Sequence, residues 1–494
     1  MTRARMSAFD ASFLSVETPT AHMHVGFVAV FSAPAGSPLP TFAQLRDHIE
    51  ARMSTAPRYR QKLAPVPLGV HAPEWVDDAA FSIDRHVYRA PSPLRQLVDE
   101  VMSVPLRRDR PLWEMWICED PELQWFAIVG KVHHCMIDGM AAVELATLLL
   151  DWTPEADATG ARGPAEAKEW RAAPEPSAER LLANGVRDLV GDNLGLVGGS
   201  LRAVTSPIRA TRRTVSGAMS ATRAVGRALG AAPASLLNRP LSPQRSLAWT
   251  ERPLGELQLI KRAYNATIND VLLAAVAGGM RTYLIRHGEV PEALKAMIPV
   301  SVRDSGDPAD VGNHISFMFV DLPCEESQPL GRLYQVRAAM RQRKSDREPE
   351  GADLMFKAAA RAPAGLQRVV SRIVASPRTF NLVVSNVPGP GGSLYMLGCP
   401  LNAIYPAVPL SDHHAVSVCM LSVGEQACFG IYADRDALPD VDVLASDIDR
   451  AITQLLESVN PAMTTPNWLK PEHITAQRLA PLVQREANGA ANGQ

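Results

Sequence analysis

The stretch from Trp125 to Leu150 constrains the fold of this chain most. It begins with an eight-residue apolar run rich in aromatic and β-branched side chains, WFAIVGKV, which is typical of a buried strand. The sequence HHCMIDG follows directly, and Met140–Leu150 then has the spacing of a helix. Strand and helix therefore alternate here, as they do in α/β folds. We expect an α/β protein with mixed sheets.

Similar short patterns recur on both sides of this stretch. They are the strand-like Val25–Phe31 and Asn381–Asn386, the helix-like Phe42–Met53, a capping box at Thr267–Asp270, and a hairpin formed by Ala415–Val423 and Ala427–Ala433. The Val387–Gly392 run, VPGPGG, predicts a turn after the second of these strands.

Changes in composition divide the chain. Residues 154–180 alternate Pro, Ala, Glu and Gly, which is typical of a linker. We therefore predict an α/β half over residues 1–155, a connector over 156–246, a second half over 247–462, and a loose tail over 463–494.

The connector contains an unusual basic segment. No acidic residue occurs from Asn193 to Thr250, and eight arginines lie there: Arg202, Arg209, Arg212, Arg213, Arg223, Arg227, Arg239 and Arg245. Small residues and single aliphatic residues separate them. The segment predicts either basic helices that bind an anionic lipid surface or a solvated connector.

Composition excludes several classes of protein. Fifty basic and fifty-two acidic residues give the 494-residue chain a net charge of −2, which argues against general nucleic-acid binding. The six cysteines are widely spaced, without a CxxC pair, and favour a reducing compartment. The start lacks a secretory signal, and no uninterrupted apolar run is long enough to span a bilayer. We expect a cytosolic chain that can still lie on a membrane surface.

The HHCMIDG turn carries the chemistry. A histidine at the end of a strand points into the crevice that the strand end borders, and an imidazole can take a proton from an attacking hydroxyl near neutral pH. Asp138 either caps the next helix or pairs with a buried arginine, and Gly139 permits a tight turn.

Other potential sites are weaker. Cys135 adjoins a histidine in sequence, but this does not make a nucleophile–base dyad. The second histidine pair, His413-His414, lacks the following Asp-Gly and predicts a structural role. Neither a GxSxG elbow nor a phosphate-binding glycine motif occurs. No metal triad is evident.

The HHxxxDG pattern resembles the CoA-dependent acyltransferase superfamily, and further segments resemble its bacterial wax ester synthase/diacylglycerol acyltransferase family. Those segments are Met6–Gly26, Trp75–Val87, Pro105–Trp116, Asn269-Asp270, Pro299–Arg303, Gly312-Asn313 and Asn381–Pro390. The resemblance implies two chloramphenicol-acetyltransferase-like domains with the active site in a tunnel between them.

The resemblance also implies roles for individual residues. His134 is the general base, His133 supports it, and Asp138 is a structural carboxylate whose suggested partner is Arg303. The PLW element of Pro111, Leu112 and Trp113 shapes a substrate channel. Asn269, followed by Asp270, lies opposite the histidine turn. It either orients the thioester or binds the oxyanion, or it is a helix-start side chain that bonds to the backbone. Asn386 belongs to the NLVVSN strand that the second half contributes to the site.

The implied reaction is direct acyl transfer from acyl-CoA to diacylglycerol or a fatty alcohol, with diacylglycerol favoured. It requires no metal and no cofactor other than acyl-CoA as co-substrate. The implied location is the cytoplasmic surface of the inner membrane or a lipid droplet, contacted through residues 193–250. Two alternatives remain open: a condensation-type acyltransferase that uses a carrier-protein thioester, and a non-catalytic lipid-droplet protein.

Overall fold

The structure, a computed structural model, has two six-stranded sheets and a two-stranded ribbon. It describes residues 6–136, 141–155, 170–189, 231–301, 315–346 and 376–459. The predicted tail and most of the predicted connector lie outside these ranges.

The first sheet contains the strand that ends in the two histidines. Its strands in spatial order are β11 (Tyr395–Met396), β12 (Cys399–Ala407), β1 (His24–Ser32), β6 (Trp125–His133), β5 (Trp113–Asp120) and β4 (Val87–Arg89). All neighbours are antiparallel except β4 and β5.

The second sheet is also mixed. Its order is β7 (Arg245–Pro253), β14 (Gln426–Asp434), β13 (Val416–Val423), β10 (Leu382–Val387), β8 (Leu294–Ser301) and β9 (Ile315–Leu322). Only β10 is parallel to its neighbours. The ribbon pairs β2 (Gln61–Ala64) with β3 (Glu74–Asp77). The prediction of an α/β fold with mixed sheets is confirmed.

The helices cover both sheets. They are Ala8–Val16, Phe42–Met53, Leu94–Ser103, Ala141–Leu149, Leu254–Ala263, Ile268–Arg286, Pro329–Ser345 and Val441–Glu457, with 3₁₀ turns at Pro57–Arg60, Pro67–Gly69 and Ile83–Arg85. Residues 178–189 are helical as well. The helix Leu94–Ser103 packs against both β6 and β7, so it lies between the two sheets.

Local signals explain where the elements begin. The helix Phe42–Met53 starts with a capping box between Thr41 and Gln44, and it buries Leu45, Ile49 and Met53 along one stripe. The capping box predicted at Thr267–Asp270 is also present. Both predicted strands and the predicted hairpin form, and each lies within two residues of the expected bounds.

A strand from the second half completes the first sheet. β12 pairs with β1 in an antiparallel register, with Phe27 opposite Pro406. β12 also packs against β13 and β14 of the second sheet. A Cβ at Gly430 would lie 1.8 Å from the Pro406 carbonyl oxygen, so only glycine allows the two backbones to approach so closely. One continuous hydrophobic core therefore links both sheets.

The helix Ile268–Arg286 is long and apolar enough to cross a membrane, with a mean hydropathy of 1.2. However, 72% of its most apolar window is buried inside the protein. It packs on Pro329–Ser345 and Val441–Glu457 and on the second sheet. These contacts are those of a core helix.

The structure corrects one assumption about the basic segment. Arg245 was counted among the surface arginines, but it begins β7 and is 1% exposed. Its guanidinium pairs with Asp434 at 3.1 Å and donates to the Thr20 carbonyl. Arg245 therefore joins the second sheet to the segment that precedes β1.

Candidate active site

The two histidines of the motif are held by both neighbouring strands. His133 lies opposite His24 in the ladder between β6 and β1. Its backbone N–H donates to the Leu112 carbonyl at 2.9 Å, and the His134 N–H donates to the Met23 carbonyl at 2.8 Å. The backbone of the pair is therefore fixed on both sides before the chain turns.

His133 is a buried, neutral support. Its side chain is 0% exposed, and its Nδ1 accepts the Cys135 backbone N–H at 3.1 Å. Burial, with a smaller contribution from the Arg108 charge, lowers the pKa of His133 to about 3. A neutral ring with an accepting Nδ1 carries its hydrogen on Nε2, which faces Glu17 Oε2 at 3.5 Å. Glu17 also pairs with Arg108.

His134 has a different environment. It is half-buried, and its ring stacks on Phe13 with 3.8 Å between centroids and 12° between planes. The Met23 hydrogen bond continues the β1–β6 register by one residue. Because side chains alternate along a strand, His134 follows Val132 on one face of the sheet, while His133 occupies the other. The stacking fixes the plane of the imidazole, which remains partly exposed.

Replacing Glu17 by Gln is expected to lower kcat by about 10–100-fold, because a small displacement of a reacting group has an effect of this size. The amide leaves the Arg108 charge unpaired beside His133 and weakens the contact that orients its ring. KM for acyl-CoA should change little, since Glu17 acts through His133. Arg107→Gln provides the control, because Arg107 is 68% exposed in its pair with Asp109. Equal kcat values for Glu17→Gln and wild type would contradict the positioning role.

The PLW element supports the histidine turn from the adjacent strand. Leu112 is fully buried and its carbonyl accepts the His133 N–H. Trp113 begins β5, is 1% exposed, and its Nε1 donates to the Tyr59 carbonyl at 2.8 Å. Pro111 is buried beside them. In the described residues these side chains brace the end of β6, and their predicted contact with a substrate channel remains a prediction.

His86, which contacts Trp113 of the PLW element, makes the free energy of unfolding depend on pH. Its Nδ1 donates to the Trp113 carbonyl at 2.8 Å, and its ring stacks on the indole at 4.5 Å. Burial lowers the pKa of His86 to about 4. Below pH 6.5 the unfolded chain therefore binds a proton that the folded chain does not, and stability falls as pH decreases towards 4.

From pH 7 to 5.5 we expect this one histidine to reduce the free energy of unfolding by about 1 kcal/mol. Urea unfolding of wild type and His86→Phe at both pH values measures it. The variant should lose about 1 kcal/mol less than wild type over the same interval. Equal losses in both proteins would show that His86 does not titrate differently on folding.

An apolar cavity lies on the same face of the first sheet as Val132. Its empty space, counted together with the solvent space into which it opens, is about 790 Å³. The helix Ala141–Leu149 forms the opposite wall. The lining residues are Val25, Gly26, Phe27, Ala29, Phe31, Ile128, Val132, Leu145, Ala146, Leu149, Leu150, Pro390, Met396, Ile404, Pro406 and Leu421. Strands from both halves of the chain contribute, so the cavity lies where the halves meet.

The structure does not bring every predicted residue to this place. Asp138, Gly139 and Arg303 lie outside the described residues. Asn269 is half-buried in the first turn of Ile268–Arg286, a helix that packs on the second sheet. Its neighbour Asp270 accepts the Thr267 N–H at 2.8 Å and so completes the helix cap.

Asn386 lies in β10 opposite Met420 of β13 and is half-buried. The neighbouring Asn381 has a clear structural role. Its amide donates to the Pro233 carbonyl at 2.8 Å and to Asn238 at 2.6 Å. It therefore attaches the end of the connector to the second sheet.

The residues of the weaker candidate sites have surroundings that indicate structural roles. Burial raises the pKa of the Cys135 thiol to about 12, so this sulfur stays protonated and poorly nucleophilic. His414 is buried and stacks on Phe380 at 3.7 Å, while His413 occupies a turn with φ of 62°. Across the described ranges, no three His, Cys, Asp or Glu side chains are grouped to hold a metal ion.

The sequence did not indicate the residues that attach β6 to the helix Leu94–Ser103. Lys131 is 0% exposed, and its Nζ donates to the Val101 and Val104 carbonyls at 2.6 Å each and pairs with Glu114 at 2.9 Å. It thereby caps the end of the helix Leu94–Ser103. A lysine inside an otherwise apolar strand was a visible signal, but its partners were not.

Comparisons with known proteins show the family to which the chain belongs. The family model of the wax ester synthase/diacylglycerol acyltransferase catalytic domain matches residues 6–272, and that of the WS/DGAT C-terminal domain matches residues 311–456. A Mycobacterium tuberculosis relative named as a diacylglycerol O-acyltransferase is 31% identical over 478 residues, covering 92% of this chain and 90% of its own. The O-acyltransferase WSD of Acinetobacter baylyi is 30% identical over 469 residues, covering 91% and 96%.

Solved structures show the same relationship. The wax ester synthase/diacylglycerol acyltransferase from Marinobacter aquaeolei VT8 has a TM-score of 0.62 and 25% identity, with 91% of this chain and 98% of that chain covered. The first condensation domain of the CDA synthetase shares the fold at 14% identity, with a TM-score of 0.57 and coverage of 94% and 99%. Because a family model spans over half of the 494 residues and relatives at 30% identity or more span nine-tenths, the chain belongs to the wax ester synthase/diacylglycerol acyltransferase family of acyl-CoA-using acyltransferases.

Proposed function

We propose that the protein esterifies diacylglycerol with the acyl group of acyl-CoA, and fatty alcohols less readily, with His134 as the general base. One observation carries this proposal. His134 is half-buried, stacked on Phe13, and follows Val132 on the sheet face that borders an apolar cavity. A base beside an apolar cavity suits the attack of a lipid hydroxyl.

The proposed reaction is a direct transfer. An unprotonated nitrogen of His134 takes the hydroxyl proton while the alcohol oxygen forms a bond to the thioester carbonyl carbon. The resulting oxyanion collapses, the carbon–sulfur bond breaks, and the CoA sulfur receives the proton from the histidinium. Ester and CoA are the products, and no acyl group becomes attached to the protein. Alignment of both reactants in one site supplies a further part of the rate increase.

The structure does not favour the alternatives. A carrier-dependent condensation enzyme shares the fold, but at 14% identity this similarity supports the architecture alone. A non-catalytic lipid protein has no need for a histidine stacked on Phe13, or for the Glu17–Arg108 pair that faces the neighbouring His133.

The substrate assignment is tested with radiolabelled palmitoyl-CoA and separate reactions containing dioleoylglycerol or hexadecanol. We expect labelled triacylglycerol from the first and a smaller amount of wax ester from the second. A palmitoyl-carrier-protein donor is offered in parallel. Ester formed only from the carrier-bound donor, or no ester from either alcohol, would contradict the proposal.

We also propose that the enzyme works at the cytoplasmic surface of the inner membrane or of lipid droplets. The support is the acid-free segment Asn193–Thr250 with its seven arginines other than Arg245. Residues 193–230 of this segment lie outside the described part of the chain. Each arginine near an anionic surface contributes about 1 kcal/mol to binding.

Replacing these seven arginines by glutamine should therefore release the protein from anionic vesicles in a sedimentation assay. Arg245 is retained, because it is buried in the ion pair with Asp434. Binding that equals that of wild type would show that another surface makes the contact.

A further inference from the structure

The register between β1 and β6 shows in which direction the cavity runs. Its strand side is a ladder of opposed residues: Val25 faces Val132, Phe27 faces Gly130, and Ala29 faces Ile128. The next residue of this row on β1 is Phe31. His134 follows Val132 at the opposite end. The cavity therefore extends along the strands from Val132, two residues before His134, towards Phe31.

The far end of the cavity is closed by an aromatic pair. Phe31 lines the cavity, is 1% exposed, and stacks on Phe126 with 4.8 Å between centroids and 9° between planes. Phe126 is completely buried. Phe31 and Phe126 lie opposite each other in the β1–β6 ladder. Because the stacking fixes the Phe31 ring, this ring forms a rigid floor.

Residues with small side chains line the middle of the cavity. A Cβ at Gly130 would lie 2.3 Å from the Phe27 ring, so the glycine leaves room for that ring beside the cavity. Ala29 on β1 and Ala146 on the helix Ala141–Leu149 present only methyl groups to the cavity from facing walls. A larger side chain at either position would divide the cavity in two.

The dimensions and chemistry fit one long hydrocarbon chain. Phe31 lies six positions after Val25 along β1, which corresponds to about 20 Å of strand. A zigzag chain with carbon–carbon bonds of about 1.5 Å advances about 1.25 Å per carbon, so about 16 carbons span this distance. All the lining side chains are apolar. The ester groups of a diacylglycerol would lose their hydrogen bonds to water there without replacement.

We propose that this cavity holds a single unbranched hydrocarbon chain of the substrate, and that Phe31 sets the longest chain accepted. The inference rests on the proposed acyl transfer and adds the residue that determines chain length. Either the acyl group of acyl-CoA or the alkyl group of a fatty alcohol supplies such a chain, and the experiment separates these sources.

The experiment measures ester formation by wild type, Ala29→Phe and Phe31→Ala with two series of substrates. The first series runs from octanoyl- to eicosanoyl-CoA with dioleoylglycerol, and the second from octanol to eicosanol with palmitoyl-CoA. Ala29→Phe should lower kcat/KM for the long chains at least about tenfold relative to the short ones in one of the two series, because a single excluded methylene has effects of that order. Phe31→Ala should shift the same series towards longer chains. The series that shifts identifies the source of the chain.

Two further variants complete the experiment: a second substitution that blocks the cavity, and a control outside the cavity. Ala146→Phe blocks the cavity from the helix side, and it should shorten the preferred chain even if Ala29→Phe does not fold. Phe429→Leu alters a completely buried phenylalanine of the second sheet that does not line the cavity, and its chain-length profile should match that of wild type.

The outcomes distinguish this inference from the function on which it rests. If wild type forms ester but the folded Ala29→Phe, Ala146→Phe and Phe31→Ala variants keep its profile in both series, Phe31 does not set chain length. If wild type forms no ester from any chain in either series, acyl transfer itself is wrong.

Discussion

Replacement of His134 by alanine is expected to lower kcat for ester formation by about 10²–10⁴-fold, the contribution of a positioned general base. The alcohol is a weak acid and attacks the thioester slowly while its proton stays in place. KM for palmitoyl-CoA should change far less, because the apolar cavity and not the imidazole holds the chain. The stacking on Phe13 is lost as well, so thermal unfolding must be compared for the two proteins.

The other histidine pair provides the matched control for this variant. His413→Asn keeps a residue type that tolerates the positive φ of 62° at this turn, and it removes an imidazole that has no part in the proposed site. This variant should retain wild-type activity. Full activity of a folded His134→Ala enzyme would mean that another group accepts the proton.

Replacement of Asp434 by alanine is expected to lower the free energy of unfolding by about 3–5 kcal/mol, because it leaves a buried charge without its counterion. Asp434 and Arg245 are each 1% exposed and face each other across β14 and β7. The carboxylate also accepts the backbone N–H of Ser242 at 2.6 Å and of Ala437 at 3.0 Å. All of these donors would lose a partner together.

Urea unfolding measures this loss, with Asp84→Ala as the control. Asp84 pairs with Arg46 at the surface, where its side chain is 69% exposed, and such pairs contribute about 0–1 kcal/mol. If both variants shift the unfolding midpoint equally, the buried Arg245–Asp434 pair contributes no more to the free energy of unfolding than the surface pair does.

Elements with local signals were predictable from the sequence. The helix Phe42–Met53 was predicted with its observed bounds because its cap and apolar stripe lie within its own residues. The capping box at Thr267–Asp270 is similar, since the side chains that satisfy the helix start are three residues apart. The family was predictable as well, and the prediction is confirmed, because several separated segments resemble one family.

Long-range pairing was not predictable in the same way. The sequence suggested two halves joined by a connector. It did not show that β12 of the second half pairs with β1, about 375 residues earlier, in the register that opposes Phe27 and Pro406. Nothing within β12 itself indicates which sheet it joins. The partnership of Glu17, Arg108 and His133 depends on this kind of tertiary placement, because each lies on a different part of the chain.

Only part of the candidate site was predictable from the sequence. The strand and turn context pointed to His133 and His134, and the structure shows how they differ: one is buried against Glu17, and the other stacks on Phe13. The roles of Asn269 and Asn386 stay predictions, as does the pairing of Asp138 with Arg303. A sequence does not show which face of a strand borders a cavity until the neighbouring strands are known.

The most direct test of the account measures CoA and ester in the same reaction of the full-length protein with palmitoyl-CoA, with and without dioleoylglycerol. Direct transfer assisted by His134 predicts that CoA release requires the alcohol, equals the ester formed, and is lost in both measures in His134→Ala. A burst of CoA without alcohol, accompanied by radiolabel bound covalently to the protein, would contradict it and show that an acyl-enzyme carries the reaction.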